Sequence, residues 1–201
     1  MADQTIPIRI LGLVGSLRRG SYNRRLLQTA RDLAPAHMRI EFAELGDLPL
    51  YNADLDVPPH RPAAVEHLKR AVEQADGLLI SSPEYNHSVP GVLQNAIDWV
   101  SRPAAKSVLV GKPIALMGAS TGAVGTARAQ QALKLVMMST LAHVMPHPGV
   151  LVGQSGEKFD ANGGGLTHEP TRAFLRTFLG EFDAYVRRMT IPAASRVRGV
   201  A

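Results

Sequence analysis

The first segment whose residue types could carry chemistry runs from Gly15 to Asn23 and has the sequence GSLRRGSYN. Its glycines permit a tight turn, and its hydroxyls, its backbone N–H groups and the start of a following helix could together bind an anion. Arg18 adds a planar guanidinium that can hold a phosphate through two hydrogen bonds. The spacing matches neither the G-x-G-x-x-G dinucleotide motif nor the G-x-x-x-x-G-K-[ST] phosphate loop. The alternative is that Ser21 only caps a helix and that the arginines are solvated.

A second polar segment runs from Ser82 to Gly91 and has the sequence SPEYNHSVPG. Two prolines and a glycine restrict its backbone, while Tyr85 offers a stacking surface and Asn86 offers polar groups to the edge of a flat heterocycle. The alternative is a plain turn with a tyrosine on the surface. His87 has no second histidine or carboxylate at the spacing of a metal site, so no metal is expected.

A third segment runs from Gly118 to Thr126 and has the sequence GASTGAVGT. A turn rich in N–H groups that leads into a helix is suited to stabilising developing negative charge. The same residues match the G-x-S-x-G nucleophile elbow, with Asp160 and His168 following in the order of the α/β-hydrolase triad. A serine esterase using Ser120 therefore stays open as an alternative. It is weakened because such short matches arise easily in glycine-rich loops and because no HGGG-type segment follows an earlier strand.

Apolar segments elsewhere in the chain alternate between short strand-like runs and longer helix-like patterns. Strands are predicted at 8–14, 38–43, 77–81, 113–118 and 143–152. Helices are predicted at 22–34, at 63–75, after Pro90-Gly91, at 126–141 and along a final stripe from Phe174 to Met189. This alternation predicts an α/β fold with a doubly wound, five-stranded parallel sheet and helices on both faces. Ligands bind such sheets at the carboxyl ends of the strands, near a switch in strand order, and the three polar segments all follow strands.

The chain has 201 residues and no cysteine. This length is typical of one domain, so we predict a single domain over residues 1–201, with residues 190–201 as a loose tail. The absence of cysteine excludes a disulfide scaffold, a thiolate metal site, a cysteine nucleophile and a dithiol redox centre. Any redox chemistry must therefore use a bound cofactor.

The net charge and the hydropathy of the chain predict its binding partners and its location in the cell. Lys and Arg number 22 against 17 Asp and Glu, a net charge of +5, and this excess favours anionic partners. The arginines between Arg18 and Arg31 are not interleaved with aromatic residues, so a phosphorylated small molecule is expected rather than a nucleic acid. No apolar run approaches the roughly 20 residues of a membrane span, and the first residues lack a secretory signal pattern. The expected location is the cytoplasm, without membrane partners.

Taken together, the three segments resemble the NADPH-dependent FMN reductase family of flavodoxin-like proteins. The resemblance extends from Ile8 to about Arg188. Its most specific part is the run SPEYN followed by SVPG and LQNAIDW, and the opening GSLR with SYN is similar to the family's phosphate loop. Within the family, the segment GTAR at 125–128, with Gln131, is similar to the soluble bacterial chromate and quinone reductases.

The resemblance implies an FMN site whose residues lie in the three segments. It implies that the phosphate is bound by Ser16, Arg18, Ser21, Tyr22 and Asn23. It implies that the isoalloxazine ring lies against Pro83, Glu84, Tyr85 and Asn86, with Ser120 near the ribityl chain or the ring. FMN fits better than FAD because the sequence offers one phosphate cradle and no evident adenine-binding domain.

The resemblance also implies an oxidoreductase in which NADPH or NADH reduces FMN and leaves before an acceptor binds. The implied acceptors are quinones, chromate, free flavin and azo or nitro compounds, with Tyr85 and Asn86 shaping their site. No catalytic side chain is expected, because the flavin carries the hard chemistry. A homodimer or homotetramer is implied. The alternative from another class is a flavodoxin-type electron carrier, but such carriers are usually acidic, whereas this chain has a net charge of +5.

Overall fold

The fold is built on a parallel sheet whose strands alternate with helices, in a computed structural model that describes residues 6–190. The strands are β1 (Ile8–Val14), β2 (Met38–Ala43), β3 (Gly77–Ser81), β4 (Pro113–Ala119), β5 (His143–Val144) and β6 (Val150–Val152). They lie in the order β2-β1-β3-β4-β5, and β6 also pairs with β4. The pairings between them are parallel. The predicted flavodoxin-like sheet is confirmed.

Helices cover both faces of this sheet. They are α1 (Tyr22–Leu33), α2 (Ala63–Gln74), α3 (Gly91–Val100), α4 (Ala127–Ser139), α5 (Ser155–Lys158) and α6 (Glu169–Thr190). Buried side chains of α1 and α6 pack on one face with Ile10, and those of α2, α3 and α4 pack on the other face with Leu11. Because successive strand residues point to opposite faces, the side chains of an almost continuous apolar strand such as β1 pack against both helical layers.

The predicted fifth strand is interrupted in the structure. Residues 143–152 form β5 and β6, which pair with two separate stretches of β4. Between them lie Pro146 and Pro148, which have no N–H to donate to a ladder. Gly149 follows with a φ of +86°, a conformation that favours glycine. The strand is therefore split where its sequence cannot continue the hydrogen-bond pattern.

The three polar segments meet at the carboxyl ends of β1, β3 and β4. There the strand order reverses, because β1 lies between β2 and β3. Gly15 N donates to Ser81 O at 2.9 Å, and Ser82 N donates to Met117 O at 3.0 Å. These bonds link the end of β1 to β3 and the end of β3 to β4. The three segments therefore begin side by side, at a topological switch point.

Gly118 shows how closely these loops approach each other. A Cβ at this position would lie 2.2 Å from Thr126 Oγ1 and 2.3 Å from Ser82 O. We expect Gly118→Ala to lower the free energy of unfolding by about 1–3 kcal/mol, the usual cost of overpacking, as measured by urea denaturation. Gly20→Ala is the matched control, because a Cβ there meets nothing within 4 Å. Equal stability losses in the two variants would contradict this packing.

The chain ends bear on two further predictions. Of the predicted loose tail, only Thr190 lies among the described residues, where it ends α6. The prediction of one domain over residues 1–201 also extends beyond the described residues and stays a prediction. Within residues 6–190, no helix is long and apolar enough to cross a membrane.

Candidate active site

The start of α1 offers two backbone N–H groups to a ligand. Ser21 caps the helix, since its Oγ accepts from Arg24 N at 3.3 Å and its carbonyl accepts from Arg25 N at 3.1 Å. In the described part of the chain, the N–H groups of Tyr22 and Asn23 have no acceptor. Ser21 therefore caps the helix, and the cap leaves two donors at the positive end of the helix dipole, where anions bind.

Arg18 is available beside these donors. Of the five arginines between residues 18 and 31, three are held elsewhere: Arg24 by Glu44, Arg25 by the carbonyls of Asp160 and Gly164, and Arg31 by Asp32. Arg18 lines a cleft with Ser16 and Ser21. No carboxylate of the described residues lies within the 4.0 Å ion-pair distance of its guanidinium. An unpaired guanidinium beside free helix amides suits a phosphate.

Asn23 ties α1 to the sheet. The residue is only 3% exposed. Its Nδ2 donates to Ala119 O and its Oδ1 accepts from Ala119 N, both at 2.9 Å. Ser81 Oγ donates to Asn23 O at 2.9 Å. The side-chain amide of Asn23 is thus bonded to the end of β4, while its backbone N–H has no acceptor among the described residues and remains available to a phosphate.

The 82–88 segment forms a tight hairpin, called here the Tyr85 hairpin. Tyr85 and Ser88 exchange backbone hydrogen bonds of 3.3 and 3.0 Å, and Asn86 and His87 between them have φ values of 51° and 62°. Positive φ at both central residues defines a type I′ turn, and asparagine tolerates it better than most residues. The structure brings Tyr85 to the cleft, but Asn86 lies at the turn and is absent from the cleft lining.

Glu84 lies at the N-terminus of α4. Its Oε2 accepts from Arg128 N at 2.9 Å and from Ala129 N at 3.1 Å. Burial raises the pKa of the carboxyl, but hydrogen bonds from Ala129, His87 and Arg128 outweigh burial and hold the pKa below its ordinary value. The helix N-terminus that was expected to stabilise negative charge on a ligand is thus occupied by a carboxylate of the protein.

Ser120 lacks the partners of a catalytic serine. Its Oγ accepts from Gly122 N at 3.2 Å. His168 Nδ1 lies 2.8 Å from Thr171 Oγ1, at the start of α6. Within residues 6–190, no hydrogen bond joins Ser120, Asp160 and His168. The triad of the esterase alternative is therefore not assembled.

One cleft unites the loops that follow β1, β3 and β4. All of the residues predicted for the cofactor site except Asn86 line it, together with Ala119 and Thr121. The cleft contains hydrogen-bond donors for an anion, at Arg18 and the start of α1, and the Tyr85 hairpin lies beside them. These groups fit FMN, a phosphorylated heterocycle. Among the described residues, no group of three or more His, Asp or Glu side chains is placed to hold a metal ion.

A second, more apolar hollow adjoins this cleft. It shares Ser16, Arg18 and Tyr85 with the cleft and continues to Pro90 and Val92. Leu17 also lines it and is 59% exposed. The mouth of the site is thus polar on one side of Tyr85 and apolar on the other.

Two residues that shape the site were not predicted from the sequence. Ser155 is fully buried, and its Oγ and N–H both donate to Ser120 O, at 2.8 and 3.0 Å. The guanidinium of Arg25 lies 5.2 Å from the centre of the Tyr22 ring and binds a loop more than a hundred residues away. The hydrogen bonds of Ser155 to Ser120 and of Arg25 to Asp160 and Gly164 have no local sequence signal, because these partners are distant along the chain.

Known proteins are similar to this chain over most of its length. The sequence profile of the family described as NADPH-dependent FMN reductase matches residues 8–157. A 2-hydroxy-1,4-benzoquinone reductase from Burkholderia sp. is 43% identical over 182 residues, which cover 90% of this chain and 98% of that protein. A quinone reductase from Escherichia coli (strain K12) is 38% identical over 185 residues, which cover 92% of this chain and 98% of that protein.

A solved structure shares the whole architecture. The flavoenzyme NAD(P)H:(acceptor) oxidoreductase FerB from Paracoccus denitrificans superposes with a TM-score of 0.82 at 36% identity, covering 90% of this chain and 98% of that chain. The profile match and the long, similar relatives cover the loops that form the cleft. The chain therefore belongs to the NADPH-dependent FMN reductase family and is an oxidoreductase that uses FMN and takes its electrons from NAD(P)H.

Proposed function

We propose that this enzyme reduces quinones by two electrons, converting NAD(P)H, a proton and a quinone into NAD(P)⁺ and a quinol. The observation that carries this proposal is the convergence of Arg18, the free amides of α1 and the Tyr85 hairpin on one cleft at the switch point. Relatives that are named for quinone reduction support it. Chromate, free flavin and azo or nitro compounds are further acceptors that we propose.

The phosphate of FMN is assigned to hydrogen-bond donors that are not used within the described residues, since the hydroxyl oxygens of Ser16 and Ser21 accept backbone N–H groups but their protons are free to donate. These are the guanidinium of Arg18, the backbone N–H groups of Tyr22 and Asn23, and the hydroxyls of Ser16 and Ser21. Ser21 also accepts from Arg24 N, so its hydroxyl proton is left to donate. These donors come from one turn and one helix end, so they form a pre-organised anion site.

The flavin ring is assigned to the other part of the cleft. FMN, when bound, supplies the hydride-accepting and electron-transfer chemistry. Pro83 and Tyr85 line this part of the cleft from the loop after β3, and Ser120 and Thr121 line it from the loop after β4. Ser155 donates to the carbonyl of Ser120, which holds the loop after β4 in place. These lining residues orient the ring and exclude water, and the proposal assigns no proton transfer to a side chain.

The apolar hollow supports an uncharged aromatic acceptor. Leu17, Pro90 and Val92 line it beside Tyr85. Burying the carbon skeleton of a quinone there would remove apolar surface from water, which stabilises binding without a specific charge partner. The net charge of +5 supports attraction of the anionic nicotinamide donor to the same region.

Steady-state kinetics test this proposal. If donor and acceptor use one open face of the site in turn, initial rates at several fixed concentrations of a soluble quinone should give parallel double-reciprocal lines as NAD(P)H is varied. Intersecting lines would show that both substrates bind together, and the shared site would have to be abandoned. Variation of the acceptor at fixed NAD(P)H is the control and should give the same pattern.

We also propose that the enzyme is a homodimer or a homotetramer. Leu17 is 59% exposed and Tyr85 is 46% exposed, and both lie at the mouth of the site. Apolar surface beside a site is a common feature of subunit contacts. Size-exclusion chromatography with light scattering should give two or four times the mass of the chain.

Two alternatives are not favoured. An electron carrier of the flavodoxin type does not account for relatives that are named as NAD(P)H-dependent reductases. A serine esterase lacks an assembled triad around Ser120. The cytoplasmic location and the absence of nucleic-acid and membrane partners stay predictions.

A further inference from the structure

Glu84 joins two elements that flank the cleft. It belongs to the Tyr85 hairpin, yet its carboxylate accepts from the first-turn amides of α4, Arg128 N at 2.9 Å and Ala129 N at 3.1 Å. The guanidinium of Arg128 lies 3.4 Å from its other oxygen. The side chain of Glu84 is only 12% exposed, whereas that of Arg128 is 55% exposed, so the bonds lie at the edge of the cleft and are partly open to solvent.

Helix α4 has no local substitute for this carboxylate. Its N-cap residue, Thr126, makes no capping hydrogen bond, and the first turn contains no acidic residue. The hydroxyl of Thr126 instead accepts from Gln130 Nε2 at 3.1 Å. The amides that an N-cap side chain normally satisfies are the second and third of the helix. Glu84 satisfies both from 44 residues away.

The bond therefore connects two loops that line the cleft. Pro83 and Tyr85, the neighbours of Glu84, line it from the loop after β3. Ser120 and Thr121 line it from the loop after β4, which ends where α4 begins at Ala127. The carboxylate is charged at neutral pH because its hydrogen bonds hold its pKa below the ordinary value, against the effect of burial. A negatively charged group at a helix N-terminus is also stabilised by the helix dipole.

We propose that Glu84 is a positioning residue, whose carboxylate on the N-terminus of α4 holds the Tyr85 hairpin against the Ser120 loop and thereby sets the affinity for FMN. This inference rests on the assignment of FMN to the cleft. The Glu84 carboxylate then acts on FMN indirectly, through its neighbours Pro83 and Tyr85.

The test measures FMN binding to apoprotein by quenching of flavin fluorescence, together with the thermal midpoint of each variant. Glu84→Ala removes two charge-assisted hydrogen bonds and should weaken FMN about 10- to 100-fold. Arg128→Ala is the matched control. It removes an exposed guanidinium and its 3.4 Å contact with Glu84 but leaves both amides in place, so the FMN dissociation constant should change less than about 3-fold.

A double variant separates positioning from helix stability. Glu84→Ala with Arg128→Glu places a carboxylate in the exposed first turn of α4. There the negative charge is stabilised by the helix dipole, but it does not connect α4 to the Tyr85 hairpin. Its thermal midpoint should rise above that of Glu84→Ala, while FMN binding should stay weak. Recovery of both properties together would show that Glu84 only stabilises α4 and would overturn the proposal.

Glu84→Gln provides a second route if Glu84→Ala does not fold. The amide keeps an acceptor oxygen but loses the charge, so FMN should weaken about 3- to 10-fold. Unchanged FMN affinity in Glu84→Gln or in Glu84→Ala would contradict the positioning role. Failure of the unsubstituted protein to bind FMN would instead contradict the assignment of the cofactor, so the two failures are distinguishable.

Discussion

Replacement of Arg18 by alanine is expected to weaken FMN binding about 10- to 100-fold, because charge-assisted hydrogen bonds to a phosphate contribute about 1.5–3 kcal/mol. Fluorescence titration of the apoprotein measures this change. Excess FMN should restore most of the quinone reduction, since Arg18 is assigned to the phosphate and not to the ring.

Arg24→Ala is the control for this prediction. Arg24 lies in the same basic segment, but its guanidinium is bound to Glu44 at 2.7 and 2.9 Å. Its loss should leave the FMN dissociation constant nearly unchanged. If Arg18→Ala and Arg24→Ala weakened FMN equally, the effect would come from net charge, and the assignment of Arg18 to the phosphate would be wrong.

Asn23→Ala is expected to cause the largest loss of stability, about 2–5 kcal/mol. The substitution removes the amide that both donates to and accepts from Ala119 and leaves a buried backbone N–H without a partner. Each such buried, unsatisfied group costs about 1–3 kcal/mol. The free energy of unfolding from urea denaturation of the apoprotein measures this loss independently of any FMN effect.

Asn52→Ala is the matched control for Asn23→Ala. Asn52 Oδ1 also accepts a backbone N–H, from Asp54 at 2.9 Å, but in an exposed turn. Its loss should cost about 1 kcal/mol or less, as for an exposed cap. A stability loss in Asn23→Ala no larger than in Asn52→Ala would show that the bridge between α1 and β4 does not hold the loops.

The strands and the location of the site could be predicted from the sequence because both depend on local pattern. The runs at 8–14 and 77–81 are largely apolar, the run at 38–43 alternates apolar and charged residues, and β1, β2 and β3 have these bounds. Parallel strands with helical crossovers then have few possible arrangements, and ligands bind at the carboxyl ends. The three polar segments were identified by their positions after strands.

The roles of individual side chains could not be predicted in the same way. Asn23 stands in a segment that suits phosphate, yet its amide is used by a residue 96 positions away. Glu84 stands in a segment that suits a flavin ring, yet its carboxylate is used 44 positions away. Both polar side chains form hydrogen bonds with backbone groups that are distant along the chain. A single sequence does not show which distant groups these are.

Backbone conformation explains the other local features. Asn86 forms a type I′ turn with His87, and its predicted contact with the edge of the flavin ring stays a prediction. The strand predicted at 143–152 is split around Pro146 and Pro148, which cannot donate hydrogen bonds to the sheet. Proline spacing was visible in the sequence, and it is the signal that could have placed this break.

Anaerobic spectroscopy of the FMN-loaded enzyme tests the central claim most directly, namely that the cleft holds the FMN that links NAD(P)H to a quinone. Stoichiometric NAD(P)H should bleach the visible bands of oxidised flavin, and a soluble quinone added afterwards, with no NAD(P)H remaining, should restore them. The Arg18→Ala variant should show the same cycle only at raised FMN concentration. Protein-bound flavin that NAD(P)H does not bleach, or bleached flavin that a quinone does not reoxidise, would contradict the account.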